Sequence, residues 1–235
     1  MKSIKAFLDL CRISNLPTVW TNVLAAVVLS DTPFSWSNYL ILSASLSLFY
    51  SGGMCLNDLC DMEVDRVHKP FRPIPSGRLS IKEATLFAVI IFGLALSLLF
   101  FVPYPKASYP GFFLLLVIVI YDRIHKKHPL TVVLIALCRL MVFIISSIAV
   151  SGTVGGGAFI AGSAQFVYIL VLSLASRYEN SIRRKFSFPF MPTMLACISL
   201  LDGVVMALLA SPAWLIAGLS GAVLTRLGQK YVRGD

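Results

Sequence analysis

Asp58, Asp61 and Asp65 stand at i, i+3 and i+7 in the stretch NDLCDMEVDR, and Asn57, Asp61 and Asp65 stand at i, i+4 and i+8. On a helix of about 3.6 residues per turn both sets fall on one face. Carboxylates stacked in this way repel one another, so a cation is expected opposite them. Hard oxygen donors suit Mg²⁺, which binds through one or two carboxylates and completes its shell with water and substrate phosphates. The competing reading is a solvated acidic turn paired with its own Arg66 and Lys69. Against it, the triad directly continues an apolar run, in a chain with only 11 acidic residues. Asn57, Asp58, Asp61 and Asp65 are therefore candidate metal ligands, with the three aspartates as the candidate catalytic acids.

The elements that must hold this face are set by composition. The 235-residue chain is 57% hydrophobic and 13% charged, with a mean hydropathy of +0.84. Soluble domains carry about 45–50% apolar and about 25% charged residues. The excess is too large for one globular core and points to an all-α, polytopic membrane bundle in a single domain over 1–235. A span needs about 20 apolar residues, and about eight fit, near 15–30, 38–56, 83–102, 108–121, 130–150, 163–176, 189–209 and 212–227. Pro33, Pro103, Pro105, Gly152, Gly155 to Gly157 and Ser211-Pro212 mark the gaps.

Of 20 Lys and Arg residues, 18 lie on alternate connections and the opposite connections hold only Lys106. By the positive-inside rule both termini and the charged loops face the cytoplasm, as expected of an integral protein of the plasma or inner membrane. The same placement, beside apolar spans, argues against nucleic acid as the partner of the +9 net charge. The start imitates a signal peptide, but Asn15, Pro17, Trp20 and Asn22 interrupt its apolar run, and a retained helix with one polar face is expected. The five cysteines show no CxxC pair, so neither disulfides nor zinc is indicated. His125 and His128 lack ligand company and read as an interfacial loop.

Beyond the acidic face, NDLCDMEVDR matches the NDxxDxxxD motif of the UbiA superfamily of intramembrane prenyltransferases. RISNLPTVWTNVLA resembles that family's first-helix signature, KPFRPIPSGRLS its continuation after the Asp-rich motif, and YDRIHKKHPL with LCRL its later Tyr-plus-basic loop. The resemblance implies a bundle whose cavity binds a prenyl diphosphate through Mg²⁺ on Asn57, Asp58, Asp61 and Asp65. Loss of diphosphate would leave an allylic cation that alkylates an aromatic or other small or lipid acceptor. Arg66, Lys126, Lys127, Arg72 and Arg123 become candidate diphosphate contacts, or else positive-inside charges at lipid headgroups.

The chain departs from the family in the loop after span six, where a second Asp-rich motif is usual. It reads LASRYENSIRRKF, with Glu179 its only carboxylate and Arg177 two residues earlier. Either one metal suffices, with Arg177 holding phosphate, or the protein no longer ionises a diphosphate. The non-catalytic alternative is an isoprenoid- or lipid-binding membrane protein that keeps the metal site. A CDP-alcohol phosphotransferase is disfavoured because no DG or AR accompanies the aspartates. The chain is also one helix short of the nine common in the family. Arg139 and Asp202 fall inside spans, where an unpaired charge costs at least about 2.5 kcal/mol, so both should face the bundle interior. Arg139 either lines the pocket or serves a structural partner. Asn15 and Asn22, seven apart on one face, either reach the cavity or bond neighbouring helices.

Overall fold

The computed structural model describes residues 4–125, 129–182 and 190–232, the side chains of Pro129 and residues 178–182 excepted. Among the described residues there are ten α-helices and no strand: α1 (Ile4–Leu10), α2 (Leu16–Val28), α3 (Trp36–Cys60), α4 (Met62–His68), α5 (Ile81–Leu98), α6 (Ser108–Ile124), α7 (Val132–Ser151), α8 (Gly156–Ile182), α9 (Phe190–Leu209) and α10 (Leu215–Gly228). Helices α3, α5, α7, α8 and α9, and α6 together with the helical turn before it (Pro105–Ile124), are long and apolar enough to cross a membrane; Ile13–Val28 is a shorter apolar helix. With α10, eight helices make the bundle, as expected. The two extra helices, α1 and α4, are seven residues each and cover its charged end.

Helix α2 is the hub, packing against α3, α7, α8, α9 and α10. Most of its 13 residues are buried, polar Thr18, Thr21 and Asn22 among them. Helix α5 packs along α3, and α6 bridges α3 and α7. Local chemistry sets the boundaries. Ser35 caps α3, and a reciprocal Ser80–Glu83 capping box starts α5. Gly152, at φ 79°, ends α7 in the left-handed region that favours glycine.

One expected gap closes. Gly156 and Gly157 begin α8 instead of belonging to a loop, because the helix start comes against the end of α2: a Cβ on Gly157 would stand 3.0 Å from the Leu29 carbonyl oxygen. A tighter seam joins α9 to α10, where a Cβ on Gly218 would lie 2.6 Å from the Gly203 Cα. Backbones this close gain van der Waals contact that side chains would prevent.

Candidate active site

The acidic face lies where α3 passes into α4. Helical hydrogen bonding runs through the junction, Asp61 N–H to the Asn57 carbonyl and Asp65 N–H to that of Asp61, both at 2.9 Å. The side chains therefore fan out in the order Asn57, Asp61, Asp65, Asp58, at about 100° per residue. Asp58, Asp61 and Asp65 are 2%, 9% and 5% exposed, so this is not a solvated turn.

The fan has two sides. On one, the Arg72 guanidinium bridges Asp58 Oδ1 (3.0 Å) and Asp65 Oδ2 (2.5 Å), while Arg12 Nη2 reaches Asp58 Oδ1 at 3.1 Å. Arg12 makes this reach from a left-handed backbone, φ 46° and ψ 49°, which costs a non-glycine residue about 1 kcal/mol. Charge-assisted bonds to a buried carboxylate offset that strain. On the other side, Asn57 and Asp61 turn to the end of α6. Asn57 Nδ2 donates to Asp122 Oδ1 at 3.2 Å, and His125 Nε2 stands 3.4 Å from Asp61 Oδ1. The Asp61 carboxylate raises the His125 pKa above its usual 6.5, against the opposing effect of burial.

Beneath the fan a cavity of about 220 Å³ runs between α2, α3, α6, α7, α8 and α9. Its walls are apolar, with Val19, Leu46, Phe49, Leu114, Ile118, Ile169 and Leu172 among them, and its polar lining includes Arg12, Asn15, Tyr50, Tyr121, Asp122 and Arg139. Asn15 donates to the Tyr50 hydroxyl at 3.1 Å. Arg139 stands 5.9 Å from the Tyr50 ring centre, donating to Asn22 Oδ1 (2.7 Å) and Thr18 Oγ1 (3.0 Å). Asn22 in turn donates to Asp202 Oδ2 at 2.7 Å, and Gln165 donates to Asp202 Oδ1 at 2.8 Å. Thus Asn15 and Arg139 reach the cavity, whereas Asn22 bridges Arg139 to Asp202. A second pocket, about 360 Å³, opens behind Asp58 and gathers Lys5, Arg12, Arg72 and Arg78 with Asp9. Arg78 is held there by Asp9 at 2.7 Å.

The remaining sequence candidates fall elsewhere. Arg66 is an exposed residue of α4 paired with Glu63 at 3.3 Å, and Arg123 is exposed on α6. Arg177 braces the turn after α6, donating to the His125 carbonyl (3.1 Å) and Thr131 Oγ1 (2.9 Å). Lys126 and Lys127, like the Glu179 side chain, lie outside the described residues. Sequence reasoning missed Arg12, Tyr50 and Asp122. Asp122 was findable as a carboxylate at the charged end of an apolar run, one residue past the expected span. Arg12 heads the RISN stretch but counted only as a positive flank.

The UbiA prenyltransferase family matches residues 17–232. A digeranylgeranylglyceryl phosphate synthase of Methanococcus vannielii is 34% identical over 168 residues, covering 69% of this chain and 59% of that protein. A synthase of the same name from Sulfolobus acidocaldarius is 31% identical over 120 residues, 51% of this chain and 42% of its own. The chain thus spans about half the length of these relatives. Among solved structures, a UbiA homologue of Archaeoglobus fulgidus bound to DMAPP and Mg²⁺ superposes with a TM-score of 0.64 at 15% identity, over 96% of both chains. A digeranylgeranylglyceryl phosphate synthase structure gives 0.63 at 17% identity, over 99% of this chain and 96% of that one. At such identities these two likenesses concern the fold.

Proposed function

Because the chain belongs to the UbiA prenyltransferase family, we propose that it moves an isoprenyl group from a prenyl diphosphate to a lipid acceptor in a Mg²⁺-dependent reaction. The observation that carries this reading is a buried carboxylate fan whose partners Arg12 and Asp122 line an apolar cavity. That arrangement fits an amphiphile with a diphosphate head and a hydrocarbon tail.

The donor set suits Mg²⁺. Carboxylate and amide oxygens crowd one helical junction, and among the described residues no three His, Cys, Asp or Glu side chains close a cage by themselves. An ion held there completes its shell with phosphate oxygens and water, as Mg²⁺ does. Asn57, Asp58, Asp61 and Asp65 would hold it. Mg²⁺, when bound, supplies Lewis-acid stabilisation of the departing diphosphate. The chain's own residues do the rest. Arg12 and Arg72 oppose the charge that builds on the leaving group. Leu46, Phe49, Leu114 and Ile118 wrap the tail and keep water from the reacting carbon.

Two relatives named digeranylgeranylglyceryl phosphate synthase support an acceptor that bears a phosphate. The pocket of Lys5, Arg12, Arg72 and Arg78 supports the same chemistry, since guanidinium groups bind phosphate in bidentate fashion. An aromatic acceptor is the competing class. The charge asymmetry orients this end of the bundle, with both termini, toward the cytoplasm.

The test is to incubate the purified protein in lipid nanodiscs with Mg²⁺, prenyl diphosphates of several lengths, and glyceryl-phosphate lipids. Released diphosphate and an acceptor mass raised by whole isoprene units are expected. No diphosphate release from folded protein at any chain length overturns the reading. A non-catalytic binder is favoured by one observation, that Arg177 is engaged in bracing a turn instead of lining the cavity. Mg²⁺-dependent binding without product would support it.

A further inference from the structure

The two sides of the acidic fan differ in what faces them. Asp58 and Asp65 meet Arg72, and Asp58 also meets Arg12. Asn57 and Asp61 face the end of α6, which brings another carboxylate. Asp122 is 4% exposed and lines the cavity. Its Oδ1 accepts from Asn57 Nδ2, while Oδ2 is buried with no hydrogen-bond partner among the described residues. Leaving one oxygen of a buried carboxylate unmatched is costly, by about 1–3 kcal/mol and more when the group is charged. A structural carboxylate would be expected to have both oxygens engaged, as Asp202 does in the same bundle.

We propose that Asp122 is a further metal-ligating residue: with Asp61 and Asn57 it would hold a divalent cation on the α6 side of the fan, and that cation would supply positive charge to the diphosphate. This rests on the prenyl diphosphate reading above and assigns it one more ligand. Asn57 is then bifunctional, its amide N–H₂ aiming Asp122 and its position in the fan facing the same ion. Arg177 contributes indirectly. By donating to the His125 carbonyl and Thr131 Oγ1, it ties the residue that ends α6, three beyond Asp122, to the start of α7. Two carboxylates and an amide are a sparse set, but Mg²⁺ requires no more when phosphate oxygens complete the shell.

The experiment uses Mn²⁺ with inorganic diphosphate as probe, read by the electron paramagnetic resonance of bound and free Mn²⁺. Wild-type protein, Asp122→Asn and Glu63→Gln are compared in nanodiscs, with the melting temperature of each recorded. Asp122→Asn should weaken Mn²⁺ binding at least about tenfold, a typical loss for a ligand-shell residue. Glu63→Gln, at an exposed position on α4, should leave it unchanged. A folded Asp122→Asn protein that binds Mn²⁺ as tightly as wild type overturns the assignment. If wild type binds no Mn²⁺ at all, the prenyl diphosphate reading itself fails, which is a separate outcome. Because the substitution could also prevent folding, Fe²⁺-directed backbone cleavage of the wild-type protein gives an independent readout. Cuts beside residue 122 as well as near 57–65 are expected; cuts confined to 57–65 overturn the proposal.

Discussion

Two groups of charged side chains are buried in this bundle, and they are built on opposite terms. In the middle, Asp202 has both oxygens occupied by the amides of Asn22 and Gln165, and Arg139 donates to Asn22 and Thr18. The charges never touch, yet Asn22 links them and ties α2, α7, α8 and α9 together. At the charged end, Asp58, Asp61, Asp65 and Asp122 crowd around one helical junction, and Asp122 retains an oxygen without a partner among the described residues. In the central group Gln165 Oε1 also lacks a partner among the described residues, but an unmatched amide oxygen costs less than an unmatched carboxylate oxygen, so it is the charged end that calls for a ligand. The difference separates the residues that hold the helices from those expected to act.

Substitutions can break that separation, and the largest expected effect is at the charged end. Asp61→Ala should reduce diphosphate release about a hundred- to a thousandfold, the scale for losing a principal charge-stabilising group. Membrane insertion and melting temperature should stay near wild type, and turnover within about threefold of wild type would remove Asp61 from the site. Asp202→Leu should show the opposite profile. It strips the carboxylate acceptor from the Asn22 amide and one of two acceptors from Gln165, and removes the counter-charge of Arg139, lowering stability by about 3 kcal/mol in detergent unfolding. An unchanged midpoint would mean that the central network contributes little to holding the helices. Gly218→Val, a change that removes no member of either charged group although it packs on the backbone next to Asp202, should cost about 2 kcal/mol by overpacking against Gly203; a stabilised variant would show the α9–α10 seam to be loose.

The smallest effect concerns His125. Its pKa is raised in the folded chain, so its contribution is fully present below 6.5 and is lost as pH rises through the higher folded value. Between about pH 6 and about pH 8, the wild-type melting temperature should fall more than that of His125→Gln. Parallel curves would show that the His125–Asp61 contact carries no charge.

Much of the fold was legible because lipid imposes simple rules. Apolar length and alternating charge were enough to find eight helices and the charged end. The spacing of Asn57, Asp58, Asp61 and Asp65 was enough to find the fan. The Asn22–Asp202 bond was not legible, since its partners lie 180 residues apart and nothing in spacing announces such a pairing. Neither was the split of the fan, which depends on which neighbouring helix each carboxylate meets. Gly155 to Gly157 misled for a related reason. Their composition reads as a turn, but Gly156 and Gly157 start a helix, and the missing side chain of Gly157 lets that helix abut Leu29. Asp122 was hidden by a boundary, set one residue short of a group that looked like the edge of a loop.

The position of α2 bears on how the protein is made. Helix α2 is made before α9 and presents Thr21 and Asn22, whose partners Ser199 and Asp202 on α9 follow 178 and 180 residues later. Until then Thr21 has the Thr18 carbonyl of its own helix and the Asn22 amide N–H₂ waits for its carboxylate, in a short helix that lipid accommodates poorly. Assembly therefore cannot proceed hairpin by hairpin in order of translation. Helix α2 needs shelter, from the insertion machinery or from transient neighbours, until α9 is in place.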